Sequence, residues 1–168
     1  MFSFSAAGDN TSPLIVYPNK RLTKEIVESV HGDWGVGMSD TGWMKREIFY
    51  EYIGNVFHPS LKKQNIEFSV ILSLDGHQTH LDRNFSDLCT ELEVILVALY
   101  PNAIRILQPC DLSTFKPLKG GWRKGVIEWR RHHPTEDITK ERFAPILKCV
   151  IDVMFPWNVE ATDFGKKL

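Results

Sequence analysis

The sequence predicts an α/β fold, and three observations carry that prediction. Residues 68–74 and 94–100 are short runs rich in aliphatic and β-branched side chains, which is typical of buried strands. The stretch between them, about 81–92, has helical character. A strand–helix–strand order implies parallel pairing through a right-handed crossover, with layers covering both faces of the strands.

The bulk composition limits the classes of protein to consider. A chain of 168 residues is long enough for one domain with a real core, and we expect a single domain over residues 1–168. No apolar stretch approaches the roughly 20 residues of a membrane span, and no secretory signal pattern is present. The three cysteines, Cys89, Cys110 and Cys149, are odd in number and dispersed, which indicates reduced thiols inside a cell. The net charge is −1, so any nucleic-acid surface would have to be local.

The remaining elements follow from periodicity and turn residues. Residues 2–6 alternate apolar and small polar side chains, Gly8-Asp9-Asn10 is typical of a turn, and residues 13–17 are rich in strand-forming side chains. Residues 1–18 therefore predict a hairpin, and residues 23–30 predict a short helix. Apolar residues from Met44 to Val56 recur at helical spacing, which predicts a helix ending before Pro59. Trp43 and the aromatic residues of this helix are expected to lie in the protein core. Residues 112–131 and 140–154 predict two more helices, although Gly120-Gly121 argues against the first of them.

Two carboxylates follow the predicted strands. Asp75 comes directly after residues 68–74, with Gly76 behind it, and Asp111 stands where the next helix begins. As ordinary structural residues, they would cap a turn and a helix. If the strands are adjacent and parallel, however, both emerge at the same edge of the sheet, where ligands collect. Two carboxylates about 4 Å apart repel by roughly 4 kcal/mol, which calls for a shared hard cation such as Mg²⁺ or Mn²⁺.

Polar residues flank both carboxylates. His77 and His80 could complete a zinc site with Asp75, but no third histidine or cysteine ligand lies nearby in the sequence, so zinc is not expected. Instead, one of these histidines supports the Asp75 loop or touches a substrate phosphate, or both are ordinary loop residues. Gln108 is expected to shape the loop before Asp111.

A basic segment follows Asp111. Two tryptophans, Trp122 and Trp129, and one acid, Glu128, are interleaved with six cations: Lys116, Lys119, Arg123, Lys124, Arg130 and Arg131. The simplest interpretation is a solvated helix face with the tryptophans in the core. The alternative is a surface that contacts DNA phosphates and positions the duplex without reading its sequence.

Several ordered motifs resemble one known family. LSLDGHQTH (72–80) resembles its "LLDGHxSH" segment, and ILQPCDLSTFKPLK (106–119) its "LQPLDxxxFxPLK" segment. PLIVYPNKR (13–21) and the segment from SDTGWM (39–44) to HPSL (58–61) are similar to two further motifs. The family is that of DDE-superfamily endonucleases and transposases, and the similarity is greatest to the pogo-like branch of the Tc1/mariner transposases, which includes jerky-like proteins and centromere protein B.

The resemblance implies a fold and a chemistry. The family's catalytic domain is ribonuclease-H-like, with a mixed sheet, flanking helices, three carboxylates and two divalent metal ions. Asp75 would match the second carboxylate and Asp111 the third, both as catalytic metal ligands for Mg²⁺ or Mn²⁺. The reaction implied is metal-dependent cleavage and transfer of DNA strands. DNA would be the partner, in the nucleus, with dimerisation left open.

The resemblance fails at one position. The family's first Asp lies on the first central strand, upstream of the hairpin, and no residue here matches that motif; Asp9 and Asp40 belong to other segments. We therefore expect an N-terminally truncated domain that lacks the first central strand, a transposase-derived nucleic-acid-binding remnant inactive alone. One alternative is an endonuclease completed by an upstream segment or partner chain. Another is a non-enzymatic protein-interaction module.

Overall fold

A computed structural model describes residues 1–5, 8–74, 83–98 and 114–155. The chain forms two compact units. The first comprises Met1–Thr23 and Gly32–Pro109, and the second comprises Lys24–His31 and Cys110–Leu168. Each unit is described below by itself, and the expectation of a single domain stays a prediction. The described residues mix short parallel strand pairs with helices, so the α/β class is confirmed.

The first unit contains the predicted strand–helix–strand segment. Strand β3 (Val70–Leu74) pairs in parallel with β4 (Val94–Ala98), and α4 (Arg83–Glu91) lies between them in sequence. The prediction that layers cover both faces of these strands is wrong, because Ile71 is 65% exposed and Ile95 is 50% exposed. Successive side chains of a strand point to opposite faces, so an aliphatic run alone does not show that a second layer covers it.

A second strand pair precedes it in the chain. Strand β1 (Leu14–Pro18) pairs in parallel with β2 (Gly35–Ser39), a strand that the sequence did not predict because glycine disfavours strands. The glycines suit a close contact with a helix. A Cβ atom built on Gly35 would lie 2.7 Å from Val56 Cγ2, and one on Gly37 would lie 2.8 Å from Ile48 Cγ2.

The predicted N-terminal hairpin is present only as a short fold-back, and its predicted second strand, β1, pairs with β2 instead. Phe4 and Asn10 form an antiparallel bridge, and the Ser5 amide donates a hydrogen bond to the Asp9 carbonyl at 2.7 Å. Farther from the turn, the Leu14 amide donates to the Met1 carbonyl at 3.0 Å. The segment therefore returns the chain to the start of β1.

The helix predicted from Met44 is longer than expected. Helix α2 (Arg46–Tyr52) continues through a π-helical segment (Ile53–Phe57) into α3 (His58–Lys63), so the prediction that the helix ends before Pro59 is wrong. In a regular α-helix the proline ring would collide with the carbonyl four residues earlier. The π-helical segment, in which the amide of His58 donates to the carbonyl of Ile53 five residues back, widens the turn before Pro59.

This helical segment supplies much of the first unit's core. Phe49 and Tyr52 are buried, and the Phe49 ring lies 4.9 Å from the ring of Phe85 on α4. Trp43, predicted to be in the core, is 78% exposed. It precedes α2 and so does not belong to the helix's apolar stripe; its carbonyl accepts a hydrogen bond from Ser39 Oγ at 2.8 Å.

A buried hydroxyl cluster ties the N-terminal fold-back to α2. The Tyr52 hydroxyl lies 2.7 Å from Ser3 Oγ and 3.0 Å from Thr11 Oγ1. Burial raises the pKa of Tyr52, so its hydroxyl keeps its proton and can donate. We expect Tyr52→Phe to lower the free energy of unfolding by about 1–2 kcal/mol, because it leaves buried hydroxyl groups without a hydrogen-bond partner. Denaturant unfolding measures this loss.

A double-mutant cycle controls for packing changes in this cluster. If the hydroxyls interact, Thr11→Val combined with Tyr52→Phe should cost less than the sum of the two single substitutions. Strict additivity would contradict the contact.

The second unit is helical. Helix α1 (Lys24–Ser29) packs against α6 (Lys140–Met154), which also packs against α5 (Lys116–His132). All three helices were predicted, and α5 runs through Gly120-Gly121 despite its glycines. Within the part of the chain that the structure describes, no helix has both the length and the apolar character required to cross a membrane.

Candidate nucleic-acid interface

The edge predicted to carry the carboxylates is formed by two strand ends. In the parallel register, Leu74 pairs with Ala98, so β3 and β4 end side by side. Asp75 follows Leu74 directly in the sequence. The predicted site residues themselves, Asp75, His77, His80, Gln108 and Asp111, lie outside the described residues. Their convergence on a metal ion therefore stays a prediction.

The chemistry of the donor set bears on the kind of metal ion. Asp75 and Asp111 would offer carboxylate oxygens, which suit hard cations such as Mg²⁺ and Mn²⁺. In the described ranges, histidine, cysteine, aspartate and glutamate side chains form no group of three or more that could hold a metal ion. The metal hypothesis thus depends on the two aspartates.

The predicted basic residues are all described, and α5 and its last turn carry them. At 3.6 residues per turn, Lys116, Lys119, Arg123 and Arg130 fall on one side of the helix, with Lys124 and Arg131 beside them. We call these six residues the cationic face. Gly121 and Gly125 lie on the opposite side, against α6.

The cationic face is open to solvent, because all six side chains are exposed. Arg131 pairs with Glu128, the one carboxylate on α5, at 2.9 Å. Both of these side chains are largely exposed, and such a pair contributes at most about 1 kcal/mol. Among the described residues, the other five cations make no ion pair or hydrogen bond through their side chains.

The two tryptophans of α5 face away from the middle of the cationic face. Trp122 contacts Phe143 of α6, with ring centroids 4.8 Å apart, and Trp129 stacks on His133 at 4.6 Å. Both are half-buried. Both tryptophans pack beneath a solvated basic face, as the simplest interpretation of the sequence predicted. They are partly buried, however, rather than fully buried.

Sequence reasoning overlooked two surface features. Ile127 lies within the cationic face and is 55% exposed, which the spacing 116, 119, 123, 127 and 130 could have shown. The outer face of the β3–β4 pair exposes Ile71, Ile95 and Val97. No sequence signal distinguishes such a face from a covered one.

Comparison with known proteins identifies the family. The family model described as DDE superfamily endonuclease matches residues 3–163, which is nearly the whole chain. The chain therefore belongs to the DDE superfamily endonucleases. The superfamily indicated by the motifs around Asp75 and Asp111 is confirmed.

A curated relative covers a similar part of the chain. The "MFS-type transporter clz9" of Cochliobolus lunatus is 29% identical over 152 residues, which is 90% of this chain and 16% of that protein. The chain thus spans about a sixth of the relative's length. No solved structure gives a significant match.

Proposed function

We propose that the chain is a transposase-derived nucleic-acid-binding domain of the pogo-like branch, with a ribonuclease-H-like arrangement of strands and helices. The observation that carries the proposal is the family match over residues 3–163. The parallel pairing of β3 with β4 and the exposed cationic face support it. The proposal extends to a nuclear location, where DNA is the partner.

The proposed metal ligands are Asp75 and Asp111. Mg²⁺ or Mn²⁺ held there would supply the Lewis acid that phosphodiester chemistry needs. The side-by-side ends of β3 and β4 support the placement of Asp75, because ligands of open α/β sheets collect at such edges.

The chain is further proposed to be inactive by itself. The matching motifs supply two of the family's three carboxylates, and residues 1–168 contain no match for the first. A two-metal site that lacks one carboxylate loses charge and coordination that its cations need. Binding of DNA does not require that carboxylate, so the chain is expected to bind DNA without cleaving it.

Plasmid nicking and DNA binding test this proposal together. We expect residues 1–168 to bind labelled duplex DNA, yet leave supercoiled plasmid intact in Mg²⁺ or Mn²⁺. Metal-dependent nicking that Asp111→Asn abolishes would overturn the inactivity and favour an active endonuclease. Failure to bind any duplex at low salt would overturn the DNA-binding function and favour a protein-interaction module.

A further inference from the structure

The first turn of α5 carries two cations and no carboxylate to balance them. Lys116 and Lys119 both lie in this turn, and no acidic residue accompanies them. Thr114 and Phe115 continue the helical backbone upstream of Lys116, so these lysines do not lie at a helix N-terminus. The acidic residue of α5, Glu128, lies more than two turns beyond Lys119, so neither lysine has an acidic neighbour along the helix.

The spacing along α5 adds further repulsion. Lys116 and Lys119 are three residues apart, and Lys119 and Arg123 are four apart, so like charges are neighbours on the helix surface. A glutamate at position 119 would instead pair with Arg123. A face that served only to keep the helix in water would be more stable with alternating signs.

The opposite side of the same helix is held in place by packing. A Cβ atom on Gly125 would lie 2.7 Å from Val150 Cγ2, and the Trp122 ring contacts Phe143. Because α6 holds that side closely, the cations project from a fixed helix rather than from a loop. Preorganised charges bind a matching array of anions at a lower entropic cost.

Resting on the proposed function, we propose that the cationic face binds the phosphate backbone of duplex DNA independently of base sequence. From Lys116 to Arg130 the helix rises about 21 Å, a length that accompanies about six base-pair steps. The residues between the cations on this face are Gly120 and Ile127, and α5 contains no asparagine, glutamine, serine or threonine. The amide side chains that read adenine are therefore absent from it; its arginines and lysines could still read guanine, and the comparison of two duplexes below tests for that.

The number of unpaired cations predicts how strongly DNA binding depends on salt concentration. Five cations of the face lack an ion-pair partner among the described residues. If each neutralises one phosphate, the slope of log affinity against log salt concentration is about −4.5. Raising salt from 50 to 200 mM should then weaken binding on the order of 500-fold.

The experiment measures fluorescence anisotropy of two labelled 20-bp duplexes of unrelated sequence, over a KCl series, with the full chain. The triple variant Lys119→Gln, Arg123→Gln, Arg130→Gln should lower the steepness of the slope by about 2.7, because three phosphate contacts are lost. Glutamine keeps a good helix propensity. The matched control, Lys20→Gln, Arg21→Gln, Lys62→Gln, removes the same charge from exposed positions elsewhere and should keep the original slope.

A gain-of-function variant guards against misfolding as an explanation. Ile127→Arg adds a cation within the face and should steepen the slope by about 0.9. Lys119→Glu should raise the melting temperature while weakening DNA binding, since it replaces like-charge repulsion with an ion pair to Arg123.

Each result supports or overturns a distinct claim. If the cationic-face triple variant binds like its matched control, this inference fails while DNA binding by the chain stands. A ten-fold preference for one duplex over the other would overturn sequence independence. If the unaltered chain binds neither duplex, the proposed function itself fails.

Discussion

Phe85→Ala should lower the free energy of unfolding of the first unit by about 3–5 kcal/mol, as large truncations in packed cores do. The Phe85 side chain is 1% exposed. Its ring lies 4.9 Å from that of Phe49 and 5.4 Å from that of Tyr50, which joins α4 to α2. Truncation removes these contacts and leaves a cavity that neighbouring side chains fill only in part. Denaturant unfolding followed by circular dichroism measures the loss.

The matched control is another aromatic residue in the same unit. Trp43 is 78% exposed, so Trp43→Ala should change stability by no more than about 0.5 kcal/mol. A loss at Trp43 equal to that at Phe85 would contradict the placement of Trp43 on the surface. It would instead favour the prediction from the sequence that Trp43 lies in the core.

The second large effect is expected where α5 crosses α6. Gly121→Ala together with Gly125→Ala should destabilise the second unit by on the order of 2 kcal/mol, because overpacking outweighs the better helix propensity of alanine. The added Cβ atoms would lie 2.9 Å from Val150 Cγ1 and 2.7 Å from Val150 Cγ2, closer than packed carbons approach. Thermal and denaturant unfolding measure the change.

The adjacent glycine provides the control for this prediction. A Cβ atom on Gly120 would meet nothing within 4 Å, so Gly120→Ala should stabilise α5 by up to about 1 kcal/mol. Opposite signs at neighbouring glycines would show that packing decides the outcome. Equal stabilisation by all three alanines would contradict the close crossing of the helices.

Local patterns were sufficient for several elements. The aliphatic runs around Leu72 and Leu96, with a helical stretch between them, predicted the parallel β3–β4 pair. The helices predicted over residues 23–30, 112–131 and 140–154 are confirmed as α1, α5 and α6. In each case neighbouring residues in the sequence carry the signal, since strands and helices repeat every 2 and 3.6 residues.

Other features required contacts between distant residues. Strand β2 contains Gly35 and Gly37, and its partner β1 and the helix beside it explain glycines that propensity alone counts against a strand. The continuation of the helix through Pro59 likewise depends on a π-helical segment that no periodicity announces.

The candidate site likewise combines features that the sequence predicts with features that depend on contacts between distant residues. All six cations of the cationic face were identified from the sequence, because their charge is a property of the residues and their common side follows from helical spacing. The convergence of Asp75 and Asp111 is a statement about distance between remote residues, and it stays a prediction.

The sequence by itself thus determined the α/β class, the family motifs and the charge of α5, since each is encoded by residues close together in the chain. Tertiary structure decided which apolar residues are covered: Phe85 is buried, whereas Trp43 and Ile71 are exposed. The physical reason is that burial depends on which other segments approach a side chain. Its own hydrophobicity does not determine that approach.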